Sequence, residues 1–268
     1  MYNKNDLRNG VVVIRGGGDI GTGVAHRLYR SGFKIIVTEI ENPLVIRRTI
    51  AFAQAVCDRE TVVEGVKAVK ALSRKEITIL LKERTIPVIV DPDCRIAKDI
   101  KADVVVDATL AKKDTGMHRD LAPLTIALGP GFKAGEDVDV VIETKRGHNL
   151  GRIILKGCAA PNTGIPEAVE GYTEERVLRA PCYGKVRSLL DIGDQVTKGE
   201  TVCYVAEEEV KASLGGVVRG LIKNGVKVKK GLKIGDIDPR GIKEYCYTIS
   251  DKARAVAGGV LEAILSMK

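Results

Sequence analysis

Gly16, Gly18 and Gly21 fall on a G-x-G-x-x-G spacing, between an apolar run at residues 11–14 and a helical stretch beginning at Val24. Strand, glycines, helix is the context in which that spacing holds a phosphate. The first glycine permits a tight turn, the second lets backbone approach the phosphate, and the third lets helix and strand pack closely. The helix start adds N–H groups and partial positive charge, which favour an anion. The same glycines would equally serve a tight strand-to-helix packing with no ligand. Asp19 lies inside the loop, where its charge repels a pyrophosphate unless a cation or hydrogen bonds offset it, or where it caps the helix. Glu39 ends a second apolar run, 18 residues after Gly21. An acid there accepts bonds from ribose hydroxyls in dinucleotide sites; it also reads as a plain surface glutamate.

Other candidates are more scattered. Arg47 and Arg48 are read on a helix, where adjacent positions point about 100° apart, so one of them would reach a phosphate. Asp107 ends a strand, at the edge where open α/β sheets bind ligands; Asp103 is the alternative loop acid. Gly129 and Gly131 flank Pro130 after another strand and either admit an anion or make a structural turn. Among the three histidines, 26, 118 and 148, His148 is the best placed for chemistry. Cys158 sits in a glycine-bounded loop and reads as a nucleophile, a chalcogen carrier or a small buried residue. Asp107, His148 and Cys158 are thus the catalytic candidates. No H-x-x-x-H, G-x-S-x-G or Walker A sequence is present, and no metal site is expected.

The elements that must position these residues alternate in the first half. Strands are expected at 33–39, 61–69, 86–90, 104–106, 124–128, 138–142 and 153–155. Helices are expected from Asn42-Pro43 to about Cys57 and from Ser73 to about Arg84. Such alternation predicts an α/β fold, a Rossmann-like, mostly parallel sheet, over residues 1–170. From about Val177 helical periodicity vanishes and an internal repeat appears at an offset of 32 residues. Gly184, Val186, Arg187, Gly193, Val196 and Lys198-Gly199 recur as Gly216, Val218, Arg219, Gly225, Val228 and Lys230-Gly231. The repeat predicts a small all-β barrel-sandwich hybrid over 177–240, resembling biotinyl and lipoyl carriers through Gly193-Asp194-Gln195-Val196-Thr197-Lys198-Gly199. The hairpin tip falls near 205–207 and has no lysine, so no biotin or lipoyl attachment is expected. The remaining segment, 241–268, carries a C-terminal helix at 250–266 that packs back, its Gly258-Gly259 indicating close packing.

The 268 residues allow one large domain or two ordinary ones. No apolar run approaches the roughly 18 residues of a membrane span, the first six residues show no signal region, and the six cysteines form no C-x-x-C pair. These observations predict a cytoplasmic protein that binds no membrane. A net charge of +8 raises nucleic acid as a partner, but with no tryptophan and 4% aromatics there is little to stack bases on, so none is expected.

Several phrases together resemble one family: the 16–23 loop, Ile46-Arg47-Arg48, Val63-Glu64-Gly65-Val66, Val106-Asp107-Ala108, Gly129-Pro130-Gly131-Phe132, Glu143-Thr144-Lys145-Arg146-Gly147-His148 and Ser250-Asp251-Lys252. The chain is similar over essentially its whole length to the selenium-dependent molybdenum hydroxylase system proteins. These are accessory proteins distantly similar to the xanthine dehydrogenase accessory proteins. The resemblance implies a maturation role, with a molybdenum hydroxylase apoenzyme and a selenium donor as partners. It transfers no catalytic residue. What it carries over is the glycine loop and the accessory role. Joined to the residue-level reading, it leads to the expectation that Gly16, Gly18, Asp19, Gly21, Glu39, Arg47, Gly129 and Gly131 bind the molybdenum cofactor in its dinucleotide form, or another nucleotide. The alternatives are an NAD-dependent oxidoreductase, or a non-enzymatic nucleotide-binding module that forms a homodimer through the C-terminal helix.

Overall fold

The computed structural model describes residues 10–111 and 116–267. The chain divides into two compact units that interleave in sequence. The first comprises Met1–Pro43, Ala51–Asn162 and Ile249–Lys268; the second comprises Leu44–Ile50 and Thr163–Thr248. The expected boundaries at 170, 177 and 240 therefore do not describe these units. Leu44–Ile50 belong to the all-β unit, and the C-terminal helix belongs to the first.

The first unit is built on nine strands: β1 Val11–Arg15, β2 Lys34–Glu39, β3 Glu60–Val63, β4 Val66–Ala71, β5 Ile86–Val90, β6 Val104–Asp107, β7 Leu124–Leu128, β9 Val140–Ile142 and β10 Ile153–Ile154. A separate pair, β8 Lys133–Ala134 and β11 Gly157–Cys158, runs antiparallel. The order in the sheet is β10-β9-β7-β6-β1-β2-β5-β4-β3, with β1 in the middle. Its strands carry Val, Ile and Leu on both faces, and Val12, Val13 and Ile14 are fully buried. That is the composition expected of strands covered on both sides.

The expected fold class, a Rossmann-like, mostly parallel sheet followed by a barrel-sandwich hybrid, is corrected by this topology. The sheet is mixed, since β3 runs antiparallel to β4 and β10 antiparallel to β9. The run at 61–69, read as one strand, is a hairpin. Glu64 and Gly65 take φ of 44° and 79° and reverse the chain. A two-residue reversal can only give an antiparallel neighbour, whereas a parallel one needs a long crossover. The all-β part is not a module that simply follows in sequence. It consists of two four-stranded antiparallel sheets and takes in a segment from the first third of the chain.

Helices of the first unit are α1 Asp19–Arg30, α2 Gln54–Asp58, α3 Arg74–Lys82, α4 Ile96–Asp99 and α5 Asp251–Ser266. Ser73 and Ser250 cap α3 and α5 through bonds from the Glu76 and Ala253 N–H groups. The helix expected over 43–57 is absent. Residues 48–50 form one 3-10 turn, and α2 is only five residues long. Hydrogen bonds to the second unit's own chain hold the segment in an irregular, non-helical path. Ile46 O accepts the Leu221 N–H at 2.9 Å, and Arg48 donates to Leu221 O at 2.7 Å.

The second unit's strands are β12 Val177–Arg179, β13 Gly184–Ser188, β14 Gln195–Val196, β15 Thr201–Val205, β16 Glu208–Lys211, β17 Gly216–Leu221, β18 Lys227–Val228 and β19 Lys233–Asp238. The two sheets run β12-β19-β17-β14 and β16-β15-β13-β18. The repeat is visible in this order. Exchanging each strand for its counterpart four strands away converts one sheet into the other. Both sheets contribute to one core that includes Val202, Val205, Val217, Leu221, Ile222 and Ile234.

Helix α5 packs on α1 through small residues. A Cβ on Gly23 would lie 2.8 Å from the Ala253 Cβ. A Cβ on Gly259 would lie 2.1 Å from Gly151 O, whereas one on Gly258 would meet nothing within 4 Å. The paired glycines thus have separate roles, and a helix-interior glycine costs about 1 kcal/mol against alanine. Gly258→Ala is expected to stabilise the protein by about 1 kcal/mol. Gly259→Ala is expected to destabilise it by about 2 kcal/mol through the clash with backbone. Denaturant unfolding of the two variants checks both, and equal shifts would remove the close approach as the reason for Gly259.

Candidate functional site

The loops after β1, β2, β5, β6 and β7 converge at the carboxyl edge of the sheet, where open α/β sheets bind ligands. Gly16 has φ of 93°, a left-handed conformation that favours glycine. Its Cβ would stand 3.2 Å from the Ala108 carbonyl carbon and the Thr109 nitrogen, so the loops after β1 and β6 touch. A Cβ on Gly21 would lie 2.0 Å from Gly16 O. No side chain fits there, and the first turn of α1 rests directly on the loop.

Hydrogen bonds fix the loop's path. Gly17 O accepts the Ala53 N–H at 2.9 Å and the Thr22 hydroxyl at 2.9 Å. Thr22 Oγ1 in turn accepts the Phe52 N–H at 2.8 Å. Thr22 is fully buried, so one hydroxyl bridges two chain segments away from water. Glu39 braces the same loop: Oε2 accepts the Gly17 N–H and Oε1 accepts the Ile40 N–H, each at 2.9 Å. Gly18 is the N-cap of α1, extended at φ −69° and ψ −168°, and no side chain caps the helix. Asp19 is its acidic first-turn residue. The N-terminus of a twelve-residue helix therefore stands behind the middle strand of the sheet, with glycine where a capping side chain would be.

Asp107 is fully buried beside this loop. It accepts from the Thr109 N–H at 3.0 Å and hydroxyl at 2.6 Å, and from Arg15 at 3.4 Å. Arg15 also donates twice to Pro92 O, at 2.9 and 2.6 Å. The Arg15 guanidinium thus ties β1, β6 and the loop after β5 together. Cys94, in that β5 loop, is buried, and burial pushes its thiol up to about 11. It is protonated and unreactive at neutral pH.

Gly129 and Gly131 follow β7, with φ of 78° and 112°. The position a Cβ would take on Gly129 is 2.6 Å from Thr144 Oγ1. Glu143, buried beside Thr144, accepts the Lys145 N–H at 2.7 Å and the Ala160 N–H at 2.8 Å. This bond brings the Cys158 segment to the rim of the same edge. Cys158 itself is exposed, contrary to the reading of a small buried cysteine, and pairs with Lys133 across β11 and β8. His148 is exposed in the turn between β9 and β10.

The candidates therefore separate. Gly16, Gly18, Asp19, Gly21, Glu39 and Asp107 come together around the β1 and β6 loops. Gly129 and Gly131 lie behind the next strand, and Cys158 lies on the rim. Arg47 belongs to the second unit, where it is buried and donates to Tyr245 O at 2.8 Å and Thr248 O at 3.1 Å. Thr22, Arg15 and Glu143 also organise the edge, and motif spacing alone does not point to them. The hydroxyl of Thr22 inside the glycine motif was the available signal.

No family model matches the chain. It is 53% identical over 257 residues to a protein of Escherichia coli (strain K12) named "Uncharacterized protein YqeB". The alignment covers 96% of this chain and 48% of the relative, so the chain spans about half the length of the curated relative it matches. Among solved structures it has a weak likeness to TcdA (CsdL), with 12% identity, a TM-score of 0.35, and 100% of this chain and 92% of that one covered. A second is the product-bound ectoine utilization protein EutE (DoeB) of Ruegeria pomeroyi, at 13% identity, TM-score 0.27 and 85% coverage of both chains. A third is a succinylglutamatedesuccinylase/aspartoacylase of Rhodobacter sphaeroides, at 15%, 0.27 and 85% of both chains. At these TM-scores the likenesses establish neither fold nor activity. Among the described residues no helix is long and apolar enough to cross a membrane.

Thr22→Val keeps shape but removes the hydroxyl that both donates to Gly17 O and accepts from Phe52. Gly17 O keeps its bond from the Ala53 N–H, so the buried Phe52 N–H is the group left unpaired, at an expected cost of about 2 kcal/mol. Chemical unfolding of this variant checks the bridge, and a loss under about 0.5 kcal/mol would show that it is not needed.

Proposed function

We propose that the first unit binds a nucleotide-bearing ligand through its glycine loop, and that the protein acts in the cytoplasm as an accessory to selenium-dependent molybdenum hydroxylases. The observation that carries the binding reading is the uncapped N-terminus of α1. It stands at the carboxyl end of the middle strand, behind a loop already fixed by Glu39, Thr22 and Ala53. A preformed loop spares the ordering cost that a flexible one would pay on binding. The family resemblance supports the molybdenum cofactor in its dinucleotide form as that ligand, which the protein would bind as cargo. The apoenzyme and a selenium donor would be its partners. Backbone N–H groups at the start of α1 would face the pyrophosphate. Asp19 in the first turn favours a phosphate that arrives with a divalent cation, which offsets the carboxylate.

Glu39 weighs against reading the loop as an NAD site. Both its oxygens accept N–H bonds from the chain around the loop, so its place is that of a brace.

Titration of the purified protein with molybdopterin dinucleotide and with NADH, each with and without Mg²⁺, tests the reading. Molybdopterin dinucleotide is expected to bind at least tenfold more tightly than NADH, and more tightly with Mg²⁺. Gly18→Asp places a favourable capping carboxylate at a position of negative φ, so the helix is retained while the anion is repelled. This variant is expected to lose at least tenfold in affinity with no loss of thermal stability. Tighter binding of NADH, or unchanged affinity in Gly18→Asp, would overturn the proposal.

A further inference from the structure

The C-terminal half of α1 borders a second concavity, of about 400 Å³, closed on the other side by α5. Arg27 and Arg30 project from α1, and Arg254 reaches it from α5. Ile249 and Leu261 supply an apolar wall. Arg254 is held rigidly. Its Nη2 donates to both Glu64 oxygens at 2.8 Å, and its Nε donates to Ile249 O at 3.2 Å. The Glu64 carboxylate also accepts the Ile249 N–H at 2.8 Å. The one carboxylate here is therefore already engaged. The Arg27 and Arg30 side chains have no hydrogen bond or ion pair among the described residues. Three guanidiniums thus surround a cavity with one carboxylate beside it.

The C-terminal dipole of α1 favours cations in its last turn. It accounts for the place of Arg27 and Arg30 but gives their guanidiniums no hydrogen-bond acceptor, while Arg254 is placed by Glu64. His26, whose ring lies 3.4 Å from Glu64 O, also lines the cavity. Burial holds its imidazole below the ordinary value, with Arg254 and Arg30 acting in the same sense and Glu64 opposing. It is neutral near pH 7, and the positive charge comes from arginine alone. Guanidinium forks match phosphate oxygens in paired hydrogen bonds.

We propose that this cavity is an anion site, separate from the glycine loop, for a small molecule carrying a diphosphate or longer phosphate group. The apolar wall formed by Ile249 and Leu261 would seat the non-phosphate part. Arg27 and Arg30 would bind the phosphates, and Arg254 would orient them.

Calorimetric titration with inorganic pyrophosphate at fixed ionic strength tests the site. The full chain is used in the Gly18→Asp background, so that binding at the glycine loop does not contribute. One equivalent is expected to bind, and R27Q/R30Q in that background is expected to weaken binding at least tenfold, with the melting temperature lowered only by the few degrees that losing two dipole-favoured charges costs. R27K/R30K, which keeps the charge but loses the fork, is expected to fall between them. Absence of pyrophosphate binding, or affinity within twofold of the parent in R27Q/R30Q, would overturn the proposal. So would tighter, Arg27- and Arg30-dependent binding of hexaglutamate, which would make the cavity a docking patch for an acidic protein segment.

Discussion

The first unit depends on one backbone approach. The α carbon of Gly21 stands so close to Gly16 O that a side chain at position 21 would overlap it. This contact seats α1 directly behind β1 and fixes where the helix begins. The glycine loop takes its position from it. The Gly17 carbonyl is aimed at Ala53 and Thr22, and the Gly17 N–H at Glu39. Gly18 is left as an N-cap without a capping side chain. Ser, Thr, Asp or Asn at that position stabilise a helix by about 1 kcal/mol over alanine. Glycine gives up only a few tenths of a kcal/mol of that and leaves the helix start open to an external acceptor.

The same economy of side chains governs the other face of α1. Gly23 lets α5 approach, and Gly259 of α5 lets the Gly151 turn approach it in its turn. Closely apposed backbones leave little freedom to shift, so the first half of α1 is held at Gly21 and Gly23 by contacts that no larger residue can replace. At one end lies the glycine loop. At the other lie Arg27 and Arg30, facing Arg254. A helix of twelve residues is about 18 Å long, so two anion sites at its ends would be distinct.

Local elements were legible where one residue pattern admits one structure. Ser73 and Ser250 marked helix starts that the structure caps with those hydroxyls. The repeat of 32 residues was legible because each copy supplies the same four strands. Strand direction was not legible. The alternation from Thr61 to Val69 is identical for one strand and for a hairpin, and only the positive φ at Glu64 and Gly65 decides. The helix read from Asn42-Pro43 failed for a different reason. Caps and periodicity are local, whereas Ile46, Arg47 and Arg48 are claimed by backbone partners near residues 221 and 245. Arg47 accordingly left the site. In the site, the glycines were readable from spacing, but Thr22 and Arg15 were not, because their partners lie about 30 and 80 to 90 residues away.

Central to this account is a glycine loop that receives phosphate oxygens on the first N–H groups of α1. Amide chemical shifts recorded during titration with molybdopterin dinucleotide in the presence of Mg²⁺ test it most directly. The largest changes are expected on Gly18, Asp19, Ile20 and Gly21. Changes confined to other parts of the chain, with these four amides unmoved at saturation, would contradict it.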